Sequence, residues 1–289
     1  MTDKPKRVAF YFSPHEDDWQ LFMMPAAFRD VSDETARCVF VHLTAGDAGL
    51  GLGTGGRKHP YYLARENGAE AAIRFMADGD DAPGERQISQ QTFSGHPIYR
   101  VSYRNTVSYF LRVADGDASG AGFADTGFQS LKKLADGKSS LAAVDGSTTY
   151  RSWDDLVTTV RDVVAFERGN ASSIQLNVAE TNERINPKDH SDHLMTAKAA
   201  LDAARDMACV QRVYYVDYAS SRLPENLDTR QRDMESSVFA VTLAGVRALD
   251  HRTFWRHYDE SFIGRNYFRA ERLSAACSHS TTSLAAAKH

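Results

Sequence analysis

A chain of 289 residues with 42% hydrophobic and 25% charged residues has the balance of a folded domain, which excludes a disordered chain and a disulfide-stapled miniprotein. With 34 Lys and Arg against 38 Asp and Glu the formal net charge is −4, and no long basic run is present to track a phosphate backbone, so no nucleic acid partner is expected. Cys38, Cys209 and Cys277 are too few and too scattered for a disulfide framework and form no CxxC pair, which points to a reducing cytosol.

Residues 7–12, RVAFYF, read as a strand that stops abruptly at SPHEDD, and WQLFMMPAAFRDV (19–31) follows as a helix. The apolar opening is interrupted by Ser13, Pro14 and His15 before a signal sequence could be completed, and no apolar run approaches the ~20 residues that cross a bilayer. The expectation is a soluble, cytoplasmic protein without a transmembrane segment. RCVFVHL (37–43) is a near-continuous apolar run of the kind a parallel strand buried on both faces requires, and it should lie beside the first strand. A glycine-rich loop (44–59) leads into YLARENGAEAAIRFMA, a helix that ends at Asp78 and Gly79.

From 78 to about 150 the chain turns rich in Gly, Asp and Ser, broken by the strand-like PIYRVSYR (97–104) and VSYFLRV (107–113) and a short helix near 127–136. This segment reads as an insertion near the active site, a candidate lid. Alternation returns with a helix at 153–168, a strand at 172–179, a helix at 190–208, a strand at 210–218 and a long helix after Pro224. The whole of 1–289 is therefore expected to be one α/β domain, an open, mostly parallel sheet with helices on both faces, with a C-terminal extension at about 225–289.

In open α/β sheets ligands bind beyond the carboxyl ends of the strands, so the loops that follow strands are the places to expect chemistry. One loop carries His15, Glu16, Asp17 and Asp18; another, NERINPKDHSDH, carries His190, Asp192 and His193. Taken separately each has an ordinary explanation: acidic residues before a helix cap its amides, and an HxxH pair is common surface spacing. Together they place imidazoles and carboxylates at two neighbouring strand ends. His15, Asp18 and His193 would supply the three N or O ligands of a catalytic zinc, and Asp17 and His190 are left to handle protons.

These residues also carry a resemblance. SPHEDDWQLFMMP resembles the (A/S)HPDDE signature of the PIG-L/LmbE-like deacetylases, and PKDHSDH resembles their HPDH motif. TAGDAG resembles the family's T-x-G-x-x-G stretch, and ARENGAEAA its arginine-led, alanine-rich helix; the likeness covers roughly residues 1–78 and 172–216. The resemblance implies a Rossmann-like domain and a metal-dependent hydrolase that removes an N-acetyl or N-acyl group from an amino-sugar-containing small molecule. It implies His15, Asp18 and His193 as ligands of Zn2+, with Fe2+ as the alternative metal. Asp17 is then the general base, and protonated His190 stabilises the oxyanion or protonates the leaving amine. Asp192 would orient His190, and Arg65 and Asp115 would contact substrate. Glu16 and Trp19 stand where the family has Pro and Glu, and Ser191 replaces the Pro of HPDH. Trp19 is open between core packing and a sugar platform, Arg65 between substrate and an ion pair, and Asp115 between substrate and an Asp-Gly turn.

Two further readings are weighed. Gly51, Gly53 and Gly56 satisfy G-x-G-x-x-G, the fingerprint of a dinucleotide-binding oxidoreductase, but they lie beyond the second strand rather than in the turn after the first. A non-catalytic ligand-binding protein on the same fold would not require Asp17 and His190.

Overall fold

Apolar runs without alternation are satisfied only where helices cover both faces of a sheet, and the computed structural model, which describes residues 5, 7–271 and 277, is organised on that rule. Strand β1 (Arg7–Ser13) leads through the short helices α1 (Asp18–Phe22) and α2 (Ala26–Val31) to β2 (Ala36–Thr44), and the glycine-rich loop then opens α3 (Tyr61–Asp78). A meander of β3 (Arg86–Phe93), β4 (His96–Tyr103) and β5 (Thr106–Val113) follows, then α4 (Leu131–Ala135) and a small ladder of β6 (Leu141–Ala142) with β7 (Thr149–Tyr150). The alternation resumes with α5 (Trp153–Arg168), β8 (Ser173–Ala179), α6 (Ser191–Ala203) and β9 (Val210–Tyr215), and ends with α7 (Thr229–Ala248), α8 (Trp255–Ser261) and β10 (Phe268–Ala270).

The principal sheet has eight strands in the order β10-β9-β8-β1-β2-β5-β4-β3. The five from β9 to β5 are mutually parallel, while β10 and β4 run antiparallel to their neighbours. Period-two alternation divides β1 between two cores. Val8, Phe10 and Phe12 point into one layer with residues of α4, α5 and α6; Ala9 and Tyr11 point into the other with residues of α1, α2, α3 and α7. The expected α/β architecture is thus present, a mostly parallel sheet flanked by helices. On the second face α3 and α7 approach so closely that a Cβ on Gly68 would lie 2.6 Å from the Thr242 carbonyl oxygen, and one on Gly245 would lie 2.7 Å from the Gly68 Cα.

Three expectations are corrected. The helix anticipated over 19–31 is two helices, because Pro25 has no N–H to continue the ladder. The segment 78–150 is not simply an insertion: β5 pairs in parallel with β2 inside the sheet, since VSYFLRV is apolar enough to be buried on both faces. The loop after β5 does border the site described below. Finally, Cys209 and Cys277 are joined by a disulfide with Cα atoms 5.4 Å apart, across a separation of 68 residues that hides the pairing in the sequence. One tie is not a framework, but disulfides belong to oxidising surroundings, and it counts against the reducing cytosol. Among the described residues no helix is long and apolar enough to cross a membrane.

Candidate metal centre

The carboxyl ends of β1, β2, β5, β8 and β9 lie side by side, so the loops that follow them meet at one rim of the sheet. From the loop after β1 come His15, Asp17 and Asp18; from the loop after β5 comes Asp115; from the start of α6 come His190, Asp192 and His193. Every one of these sequence-identified residues is brought into one neighbourhood, together with Arg65 of α3. His15, Asp17, Asp18, Arg65, Asp115 and His190 line a cavity of about 450 Å³, and Tyr218, Tyr258 and Phe262 line it too.

His15, Asp18 and His193 are all buried, and their donor atoms lie within 4.8 Å of one another. His15 Nδ1 is 3.1 Å from one Asp18 oxygen, and His193 Nε2 is 3.3 Å from the other. The Asp18 carboxylate also accepts the backbone N–H of His15 at 2.8 Å, which fixes the loop around it. Burial opposes ionisation of Asp18, but His193 and His15 outweigh it and hold the carboxyl well below the usual range. Burial likewise opposes protonation of the two imidazoles. Asp18, Asp192 and Asp115 around His15, and Asp189 and Asp18 around His193, prevail and raise both well above the ordinary value.

Several buried atoms in this group make no aligned hydrogen bond: His15 Nε2, both ring nitrogens of His193, and one oxygen each of Asp192 and Asp217. Buried polar atoms are almost always paired. Converging imidazole nitrogens and carboxylate oxygens left unmatched are what a divalent ion requires, and the group can hold one. A second set, His15, Asp115, His190 and Asp192, overlaps it through His15, whose Nε2 is 3.8 Å from Asp115 and 3.7 Å from Asp192.

The proton-handling candidates have distinct settings. Asp17 pairs with Nη2 of Arg65 and lies 3.5 Å from the Tyr258 hydroxyl, which donates to it; Arg65 Nε is also 3.1 Å from the buried Glu16. Of the two readings left open for Arg65, the ion pair is the one observed. His190 caps α6: its Nδ1 accepts the backbone N–H of Asp192 at 3.1 Å, so the proton of the neutral ring sits on Nε2. Burial, reinforced by His15 and His193, pushes its pKa down to about 4, which disfavours the imidazolium expected from the sequence. Asp192 accepts the backbone N–H of Gly116 at 2.8 Å, where a Cβ would collide with its other oxygen at 2.5 Å, so the aspartate is clamped between α6 and the loop after β5. Asp115 accepts the Asp117 amide at 3.0 Å as an Asp-Gly turn would, and it also faces the cavity. Trp19 is fully buried against Phe40, with ring centroids 4.8 Å apart, and is a core residue rather than a sugar platform.

Two residues of the centre escape sequence reasoning. Asp189 and Asp217 each place an oxygen 3.0 Å from His193 Nδ1. One N–H cannot serve two carboxylates fully, and burial, with Asp189 adding to it, pushes Asp217 up to about 7. Asp217 follows β9 directly, so its place in a strand-end loop is a signal that could have found it; Asp189 has no mark of its own beside the motif histidines. The G-x-G-x-x-G glycines lie in the loop between β2 and α3, away from the turn after β1 that a dinucleotide fingerprint occupies. Comparison of the chain with protein-family models and with curated protein sequences finds no match.

Proposed function

We propose that this chain is a zinc-dependent hydrolase of the PIG-L/LmbE-like kind, on a Rossmann-like domain, that removes an N-acyl group from an amino-sugar-containing small molecule. The observation that carries the reading is the convergence of buried donor atoms of His15, Asp18 and His193, with His15 Nε2 and both His193 ring nitrogens unmatched, beside a cavity lined by His15, Asp18, Asp17 and His190. Zinc held there would polarise the amide carbonyl and lower the pKa of water to about 7.

The remaining work falls to the chain. Asp17, fixed by Arg65 and Tyr258, accepts the proton of the attacking water and can return it to the departing amine. His190, neutral and with its hydrogen on Nε2, donates that hydrogen toward the carbonyl oxygen as negative charge collects there. Asp192 and the Gly116 amide hold the start of α6, and hence the His190 ring, in place. Asp189 and Asp217 behind His193 turn its other nitrogen toward Asp18, the usual service of a carboxylate behind a metal-binding imidazole. Acetate, or another short carboxylate, and a free amine are the products.

The test is metal content per chain in protein purified without chelator or affinity tag, followed by acetate release from N-acetylated amino sugars. Near one zinc or iron in the wild type, none in His193→Ala, and a retained metal with at least about 10²-fold slower turnover in Asp17→Asn are expected. Amide hydrolysis retained in Asp17→Asn would remove the base assignment, and absence of metal after reconstitution would remove the hydrolase.

A further inference from the structure

The cavity before the metal-binding group has a cationic mouth that amide hydrolysis does not use. Three cationic side chains besides the histidines line the cavity: Arg65, Lys188 and Arg222. Arg65 is consumed by Glu16 and Asp17. Lys188 and Arg222 are exposed, and among the described residues neither has an ion-pair or hydrogen-bond partner.

The two cations stand on loops that are tied to each other and to the centre. Lys188 sits at φ +58°, in the left-handed region that side chains other than glycine seldom adopt. It is flanked by Asn186, whose amide donates to the Glu180 carbonyl at 3.2 Å and to Asp189 at 2.8 Å. Arg222 ends the turn Tyr218–Arg222, and the backbone N–H that opens this turn donates to Asp189 at 3.4 Å. A single carboxylate, Asp189, therefore connects the Lys188 loop, the Arg222 turn and the His193 ring. In the same cavity Tyr218 and Phe262 stack with centroids 5.6 Å apart and planes at 26°, an apolar wall suited to the face of a sugar ring.

We infer that the mouth formed by Lys188 and Arg222 binds an oxyanion, phosphate or carboxylate, carried on the amine-side portion of the substrate, so that the substrate class is an anionic N-acyl amino sugar. The inference rests on the hydrolase reading above for the position of the amide. A neutral sugar leaves both cations in water at no cost, so selection comes from the charge-assisted hydrogen bonds that an anion alone can accept, which in a solvent-exposed mouth amount to about tenfold.

The experiment compares kcat/KM of the zinc-loaded enzyme for N-acetylglucosamine with that for its phosphate esters and for N-acetylmuramic acid, in the wild type and in Lys188→Gln/Arg222→Gln. At low salt at least one anionic sugar is expected to exceed the neutral one by about tenfold, and the ratio to fall toward one in the double variant. Which anion leads separates phosphate from carboxylate. A wild-type ratio near one for every anionic sugar, or a preference that survives in the double variant, overturns the inference. If no sugar is hydrolysed, the hydrolase reading is what fails, and the mouth is read by calorimetric binding of glucosamine phosphate against glucosamine. There a preference lost in the double variant upholds the inference, and equal affinity overturns it.

Discussion

The guanidinium of Arg65 pairs with the carboxylate of Asp17, and this ion pair forms one wall of the cavity beside His15 and Asp18. The same guanidinium is the only ion-pair partner of Glu16 among the described residues, and Glu16 is 1% exposed. Asp17 is therefore oriented by a group whose own position depends on a buried neighbour, so the proposed base cannot be altered in isolation.

Arg65→Met is expected to destabilise the fold by about 3 kcal/mol near neutral pH, because it strands Glu16 as a buried charge. Burial already raises the Glu16 pKa, and Arg65 is the chief influence lowering it. A carboxyl whose folded pKa lies above its unfolded value contributes stability below the unfolded value and loses it as pH rises through the folded one. The loss should accordingly be larger at about pH 8 than at about pH 5, and Glu16→Gln/Arg65→Met should recover part of it. Urea unfolding midpoints across that range decide the matter; a pH-independent loss would show that Glu16 is not the stranded group.

Zinc should stabilise the protein more strongly as pH rises. Without metal, His15 and His193 hold protons more firmly in the folded chain than in the unfolded one, because surrounding carboxylates outweigh the opposing effect of burial. That contribution is complete below the unfolded imidazole value of about 6.5 and disappears as pH rises through the folded values. Metal requires the neutral rings and displaces those protons. The shift in Tm on adding zinc is expected to be greater at about pH 8 than at about pH 6. Equal shifts in calorimetric scans at the two values would exclude these histidines as ligands.

Asp189 and Asp217 are expected to differ although they are equidistant from His193. Asp217, with its pKa pushed up to about 7, already carries a proton much of the time, so Asp217→Asn should change zinc affinity by less than about threefold. Asp189→Asn should weaken it by about 10- to 100-fold, the usual effect of losing a carboxylate behind a metal-binding imidazole. Competition titrations with a chelating dye give both numbers, and the reverse ranking would reassign the partner of Nδ1.

The crossing of α3 and α7 offers a test of packing away from the centre. Gly68→Val would drive its side chain into the Thr242 carbonyl and the Val246 side chain, and a loss of about 1–3 kcal/mol is expected from overpacking. Measurement of the denaturant midpoint, with metal content as a control, checks it; an unchanged midpoint would mean that the helices separate freely.

β1 and β2 were legible because the runs RVAFYF and RCVFVHL have no polar face to show to water. β3, RQISQQTF, was not legible: it lies at the sheet edge and is exposed along nearly its whole length, so it has no apolar pattern to betray it. β10 has three residues, all exposed, and gives no signal either. At the centre, His15, Asp18 and His193 stand in short motifs with recognisable spacing. Asp217 lies 24 residues beyond His193 and reaches it only because β9 ends beside β8, a relation set by strand order rather than by local sequence. The lowered pKa of His190 was equally hidden, since it arises from burial, reinforced by two other imidazoles, all brought about by folding.

The ends of the eight-stranded sheet are also where it can meet other chains during folding. An open edge presents unpaired amides and carbonyls to any extended segment that drifts past, and an apolar edge would recruit copies of itself. Here one edge is β3, where Arg86 and three glutamines occupy an eight-residue strand, and the other is β10, too short to template a partner. The parallel strands, whose sequences would aggregate most readily, are thus confined to the interior of the order. The polarity of β3 that conceals it from pattern analysis also leaves that edge without a continuous apolar surface to recruit another chain.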